Sequence, residues 1–147
     1  MTYRSNTTIL PQRLNVALAI LRIVVGGIFI AHGAQKLFVF GLAGVVGAFG
    51  QMGIPLPGII GPAIAILEFF GGIALVLGLL TPPIALLLAV DMLGAISLVQ
   101  IKKGLIGGYE FELLLLCTAL ALALAGAGEY SFDRVFAARK AEGQRHG

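Results

Sequence analysis

The sequence is poor in charge, cysteine and histidine, and it has no tryptophan. Only 12% of its 147 residues are charged, and it has one cysteine and two histidines. A single cysteine excludes an internal disulfide, a CxxC redox pair and a thiolate metal cluster. So few Cys and His side chains cannot supply the usual ligand sets of haem, iron–sulfur clusters or zinc. We therefore expect no metal and no covalently bound cofactor.

Motifs for nucleotides and nucleic acids are lacking too. Neither GxGxxG nor GxxxxGK[ST] spacing occurs, and no basic patch carries interleaved aromatic residues. The net charge of +3 and the pI of about 9.4 come largely from the two termini. Basic termini beside anionic lipid account for that charge, so we expect no nucleic-acid partner.

Hydrophobic residues are abundant instead. They make up 59% of the chain, and the mean hydropathy is +1.01. Apolar runs about 20 residues long, the length needed to cross a bilayer, occupy residues 14–37, 58–80, 83–100 and 109–126. The first run is too long for a cleaved signal peptide, and Arg22 interrupts it. The sequence predicts an all-α integral membrane protein, a bundle of four transmembrane helices.

The segment "FVFGLAGVVGAFGQMGIPLP" between the first two predicted helices is itself apolar and rich in glycine. It predicts a short interfacial or re-entrant helix around residues 42–52. We expect residues 1–136 to form one membrane domain and residues 137–147 to form a polar, basic cytoplasmic tail.

Lysine and arginine near the helix ends predict the orientation. The side that carries the termini has six: Arg4, Arg13, Arg134, Arg139, Lys140 and Arg145. The opposite side has three: Lys36, Lys102 and Lys103. This asymmetry places both termini in the cytoplasm and the chain in a bacterial inner membrane.

Three ionisable residues fall inside the predicted spans, where a charge is costly and usually faces a partner or a cavity. Counted from the ends of the spans, Arg22, Glu68 and Asp91 lie about 12 to 15 Å deep, at nearly one level. They are the candidate catalytic residues. In one interpretation Arg22 is a structural clamp between the two carboxylates. In the other, one carboxyl holds a proton and the cluster serves proton relay or a quinone.

A second polar layer lies near the outer helix ends. Its candidates for a ligand-binding rim are His32, Lys36, Tyr109 and Glu110, with Glu112 close by. Lys36 falls within about 40° of Arg22 around the helix axis, so one polar stripe could run from the cluster to the rim. The alternative is that Lys36 snorkels to the interface and the glutamates favour a helix N-terminus.

Small residues flank the three buried positions and predict close helix packing. They are Gly26 and Gly27, Gly71 and Gly72, and Gly94 and Ala95.

The sequence resembles the DoxX family of small four-helix bacterial membrane proteins over roughly residues 18–136. The resemblance rests on Arg22, on the "HG" and Lys36 at the end of the first helix, and on Glu68 before paired glycines. It also rests on "GYE" at the start of the fourth helix and on the ending G-x-G-x-x-S-x-D, here Gly126 to Asp133.

The resemblance implies a membrane protein of oxidoreductase type linked to quinone, thiol or sulfur chemistry. One hypothesis is therefore a membrane subunit of a quinone-linked redox system, with a soluble redox enzyme as partner. The other is a non-catalytic binding, transport or scaffold module for a small ligand or a partner enzyme. Beyond the lipid bilayer, a homodimer is a further expectation.

Overall fold

The computed structural model describes the backbone of residues 9–143, and this part of the chain contains helices and no strand. The α-helices are α1 (Ile9–Ala34), α2 (Gly41–Gln51), α3 (Pro57–Leu77), α4 (Thr81–Ala95), α5 (Glu110–Ala125) and α6 (Phe132–Gly143). Two of the arginines used for the orientation lie outside the described residues, Arg4 and Arg145. The same is true of residues 144–147 of the predicted tail. Helix α6 runs across the predicted boundary at residue 137.

Within residues 9–143, the four predicted spans are confirmed as four helical segments that are long and apolar enough to cross a membrane. They are Pro11–Gln51, which includes α2, Pro57–Leu77, Thr81–Lys103 and Leu105–Ala125. Large apolar side chains remain exposed along all four, among them Ile23, Phe70, Val90 and Leu124. Such a surface suits lipid, because a soluble monomer rarely exposes continuous apolar area of this extent.

The predicted short helix between the first two spans is confirmed as α2. The chain turns into it at Gly41, whose φ of 67° is unfavourable for residues with a side chain. Val45 is buried on its inner face against the start of α3, where a Cβ on Gly61 would lie 3.1 Å from the Val45 side chain. Helix α2 therefore belongs to the packed body of the protein.

The core lies along the inner stripes of the long helices. Helix α1 packs along α3, and α4 packs along α5. The buried core side chains are Leu18, Val25 and Phe29 from α1, Leu75 from α3, Ala85, Leu88 and Met92 from α4, and Leu115 and Leu122 from α5. In lipid, such packing stabilises the association of the helices, because lipid is as apolar as the side chains and the hydrophobic effect contributes little between spans.

Helices α1 and α3 approach each other through glycine. A Cβ on Gly26 would lie 2.8 Å from the Gly72 carbonyl oxygen, and a Cβ on Gly33 would lie 2.3 Å from the Phe69 nitrogen. These distances leave no room for a side chain, so the predicted packing role is confirmed for Gly26 and Gly72. It is wrong for Gly27 and Gly94, because a Cβ on either residue would have no atom of another element within 4 Å.

This contact fixes the antiparallel register of α1 and α3. Gly33 faces Phe69, the residue after Glu68, whereas Arg22 faces Gly78 at the far end of α3. Eleven residues separate Arg22 from Gly33 along α1, roughly 16 Å at helical rise. The register thus divides the buried ionisable residues between two ends of the bundle, here named the Arg22 end and the Lys36 end.

Gly26→Ala should destabilise the protein, because its methyl group must displace backbone of α3. Overpacking of this kind costs about 1 to 3 kcal/mol. Gly27→Ala is the matched control: its methyl group meets open space, so stability should stay the same or rise by up to about 1 kcal/mol, because alanine favours a helix interior over glycine. Unfolding of both variants in detergent, followed by circular dichroism, measures the difference. Equal stabilities would contradict the close approach.

Candidate functional site

Arg22 occupies the Arg22 end and contacts neither carboxylate of the predicted cluster. The side chain is 3% exposed, and its two terminal nitrogens donate to the backbone carbonyls of Ala127 and, at 2.5 Å, Tyr130. The predicted clamp of Arg22 on Glu68 and Asp91 is therefore wrong. The depth count began at Leu14, but α1 starts at Ile9, and the Arg22 guanidinium lies against Gly78, just after the end of α3.

The loop that Arg22 holds carries the terminal G-x-G-x-x-S-x-D motif. The Asp133 carboxylate accepts hydrogen bonds from the backbone N–H groups of Leu80 and Thr81, at 2.7 and 2.9 Å. These groups open α4 and lack partners inside that helix, so Asp133 caps α4 from a distant part of the chain. Gly78 lacks a side chain where the guanidinium passes, 2.9 Å from where a Cβ would lie. This motif is a structural connector.

Lys36 takes the place that the sequence analysis gave to Arg22. Its ammonium group forms a salt bridge and hydrogen bond with Glu68, whose side chain is 4% exposed. The Asp91 carboxyl makes side-chain contact with Glu68 and lies within range of the Lys36 charge. The structure thus brings together two of the three predicted cluster residues, Glu68 and Asp91, with Lys36 as their cation.

A cavity of about 140 Å³ adjoins this triad. Ionisable side chains line one part of it: His32, Lys36, Glu68 and Glu112. Apolar side chains line the rest: Phe29, Met92, Ala95, Phe111 and Leu115. Mixed apolar walls with a few convergent polar groups are typical of small-molecule sites.

Two of the helical segments around the cavity contain π-helical turns, which are wider than α-helical turns. Lys36 lies in a π-helical turn at Gln35–Phe40, and Gln100 closes a second one at Ile96–Gln100. Such turns are frequent at functional sites because they displace side chains from the regular helical positions. The Gln100 amide donates to Glu112 Oε1 at 3.2 Å. This bond joins the π-helical turn after α4 to α5.

The predicted rim is present in part. His32 and Lys36 line the cavity, and the His32 ring lies 5.9 Å from the Phe111 ring. Tyr109 and Glu110 do not line it. Glu110 is exposed and accepts a hydrogen bond from the Gly107 backbone at 3.2 Å, so it closes the turn before α5.

Gln100 and the aromatic walls Phe29 and Phe111 were not predicted from the sequence, and Glu112 was placed beside the predicted rim but not among its candidates. Gln100 gave the clearest signal, since an amide at the end of an apolar run usually has a polar partner nearby. The phenylalanines gave none, because an aromatic residue in an apolar run has the same sequence environment whether it faces lipid or a cavity. Between residues 9 and 143, no three His, Cys, Asp or Glu side chains are arranged to hold a metal ion.

The fold and the buried polar residues define a small helical membrane protein with an intramembrane cavity. The DoxX family model matches residues 17–101, more than half of the chain. The chain therefore belongs to the DoxX family.

Three similar proteins cover most of the chain. CatD of Bacillus subtilis (strain 168), which is named as a candidate oxidoreductase, is 36% identical over 82% of this chain and 88% of its own length. An uncharacterized protein of Haemophilus influenzae is 34% identical over 81% of this chain and 90% of its own length. An uncharacterized membrane protein of Mycobacterium tuberculosis is 30% identical over 81% of this chain and 80% of its own length. No solved structure matches the chain significantly.

Arg22→Leu should destabilise the protein without altering the cavity. The substitution leaves two carbonyl oxygens of the connector without their charged donor, a loss of about 3 kcal/mol. Arg13→Leu on the same helix is the control, because Arg13 is exposed and should change stability by less than about 0.5 kcal/mol. Unfolding in detergent measures both. Equal effects would contradict the anchoring role of Arg22.

Lys36→Met should destabilise the protein because it leaves the buried Glu68 carboxylate without its cation. Breaking a buried pair on one side costs about 3 kcal/mol, whereas replacing both partners by apolar residues is often nearly neutral. The double variant Lys36→Met with Glu68→Leu should therefore recover most of the loss in the same unfolding assay. Lys102→Met, at an exposed position, is the control. A double variant no more stable than the single one would contradict the pairing.

Proposed function

We propose that this protein is a membrane subunit of a quinone-linked redox system whose cavity at the Lys36 end binds the quinone ring. The observation that carries the proposal is a ring-sized cavity beside a buried ion pair, within segments that cross the membrane. Ionisable groups at such a position usually serve a ligand or proton pathway. The oxidoreductase name of the Bacillus subtilis relative is in keeping with this role.

Cavity size supports a single six-membered ring. The volume of about 140 Å³ is close to the roughly 150 Å³ of an apolar protein cavity known to bind benzene. Phe29 and Phe111 provide apolar and aromatic walls, and the half-exposed edge at His32 gives an entrance. This volume supports a quinone head group as the ligand.

The triad supports proton handling. When bound, a quinone exchanges two electrons and two protons with its surroundings. Glu68 and Asp91 are two contacting carboxyls that face a single ammonium group, so their charges balance when one carboxyl holds a proton. Glu68 lines the cavity and Asp91 lies behind it. We propose that this pair exchanges one of the two protons, that the second exchanges with solvent at the exposed His32 edge, and that a soluble redox enzyme exchanges the two electrons.

The distribution of exposed cations indicates on which side of the membrane the cavity lies. At the Arg22 end the described residues include Arg13, Arg134, Arg139 and Lys140 as exposed cations. At the Lys36 end they include Lys102 and Lys103, while Lys36 is neutralised by Glu68. By the positive-inside rule, the Arg22 end lies in the cytoplasm of a bacterial cell and the cavity faces the opposite side. The homodimer stays a prediction from the sequence.

Glu68→Gln should weaken binding of the 1,4-benzoquinone/hydroquinone couple about tenfold, the effect of losing one charged hydrogen-bonding group. Ligand-observed NMR with the protein in lipid nanodiscs measures it, in a Cys117→Ala background because benzoquinone adds to thiols and Cys117 is exposed. Ala95→Phe, which fills the cavity and removes no charge, should abolish binding. Glu129→Gln, at an exposed site at the Arg22 end, should leave it unchanged.

Absence of binding by both ring forms, or binding that neither Glu68→Gln nor Ala95→Phe alters, would contradict the proposal. A ring that binds but is neither oxidised nor reduced by bacterial membranes containing the protein would support the alternative, a non-catalytic binding module.

A further inference from the structure

We infer that the cavity at the Lys36 end selects the reduced, dihydroxy form of its aromatic ligand over the quinone, because the polar atoms left unpaired beside it are acceptors. This inference rests on the function proposed above and specifies the chemical class that the site takes.

Two oxygen atoms near the cavity are buried acceptors and have no hydrogen-bond partner within residues 9–143. They are Gln100 Oε1 and Glu112 Oε2. Glu112 lines the cavity, and Gln100 is bonded to Glu112. A buried acceptor without a donor costs free energy of about 1 to 3 kcal/mol, so the site favours a molecule that supplies donors.

The donor nitrogens at the same place already have acceptors. The Lys36 ammonium donates to Glu68, and the Gln100 amide donates to Glu112 Oε1. His32 is the remaining ionisable lining residue, and it sits at the exposed edge against Phe111. A bound ring consequently meets acceptor oxygens that have no partner in the described part of the chain, whereas the donor nitrogens of Lys36 and Gln100 each have an acceptor.

The oxidised and reduced forms of a quinone differ in their hydrogen-bond donors. A quinone has carbonyl oxygens and no donor, so it would face Glu112 with like partial charges and leave the acceptors unpaired. A hydroquinone or catechol has two hydroxyl groups, each of which donates one hydrogen bond. A dihydroxy ring therefore satisfies acceptors that an oxidised ring leaves unpaired, while both forms fill the apolar part of the cavity equally.

The test compares three rings of similar size, hydroquinone, 1,4-benzoquinone and 1,4-dimethoxybenzene, on the full chain in nanodiscs without oxygen. The Cys117→Ala background removes the reactive thiol, and empty nanodiscs correct for partition into lipid. Dissociation constants from ligand-observed NMR should be at least about tenfold lower for hydroquinone than for the other two rings, the effect of one hydrogen bond to a charged group.

Glu112→Gln should reduce this preference severalfold, because it replaces a carboxylate oxygen by an amide donor at the cavity wall. Glu110→Gln is the matched control two residues away; it lies outside the cavity and should keep the preference of the unmodified chain. Circular dichroism verifies that both variants are folded.

Equal or tighter binding of benzoquinone would overturn this inference and leave the proposed quinone site standing. Binding of no ring would overturn both. A preference for hydroquinone that Glu112→Gln leaves intact would also overturn the inference, because the acceptors at the cavity would not then be its cause.

Discussion

The close approach of α1 and α3 is the constraint on which the rest of the structure depends. Gly26, Gly33 and Gly72 allow the two backbones to touch, and the contact admits one register because any shift would place a side chain where only hydrogen fits. Between spans in lipid, packing of this kind is a main source of helix association. The register then decides which polar group of α1 meets which group of α3.

Each buried charge consequently has its own partner, and the two ends serve different purposes. At one end, Arg22 donates to loop carbonyls, and the connector reaches across to cap α4 through Asp133. At the other end, Lys36 pairs with Glu68 beside the cavity. Unpaired buried atoms remain at both ends, since Arg22 Nε and Thr81 Oγ1 also lack partners among the described residues. The two ends differ in what their bonded groups do: at the Arg22 end they connect distant segments of the chain, and at the Lys36 end they flank the cavity.

Much of the fold was predictable because its signals are local. Apolar runs of about 20 residues, together with glycines and prolines at the turns, predicted the four spans and the short helix α2. The candidate site was predictable only in part. Glu68, Asp91, His32 and Lys36 were singled out because ionisable groups are rare in membrane spans. Tyr109 and Glu110 were assigned to the rim because they open the fourth span at its outer end. Glu110 instead bonds to its own turn.

The sequence by itself determined that this is a four-helix membrane protein with ionisable residues inside its spans, because bilayer thickness and the cost of buried charge act on single segments. Its motifs resembled those of the DoxX family, and the match to the family model confirmed the membership. Only the tertiary structure decided that Lys36, and not Arg22, is the cation of Glu68. Pairing across helices depends on register and on where each helix begins relative to its neighbour, and a shift of three turns leaves the apolar pattern of each segment unchanged.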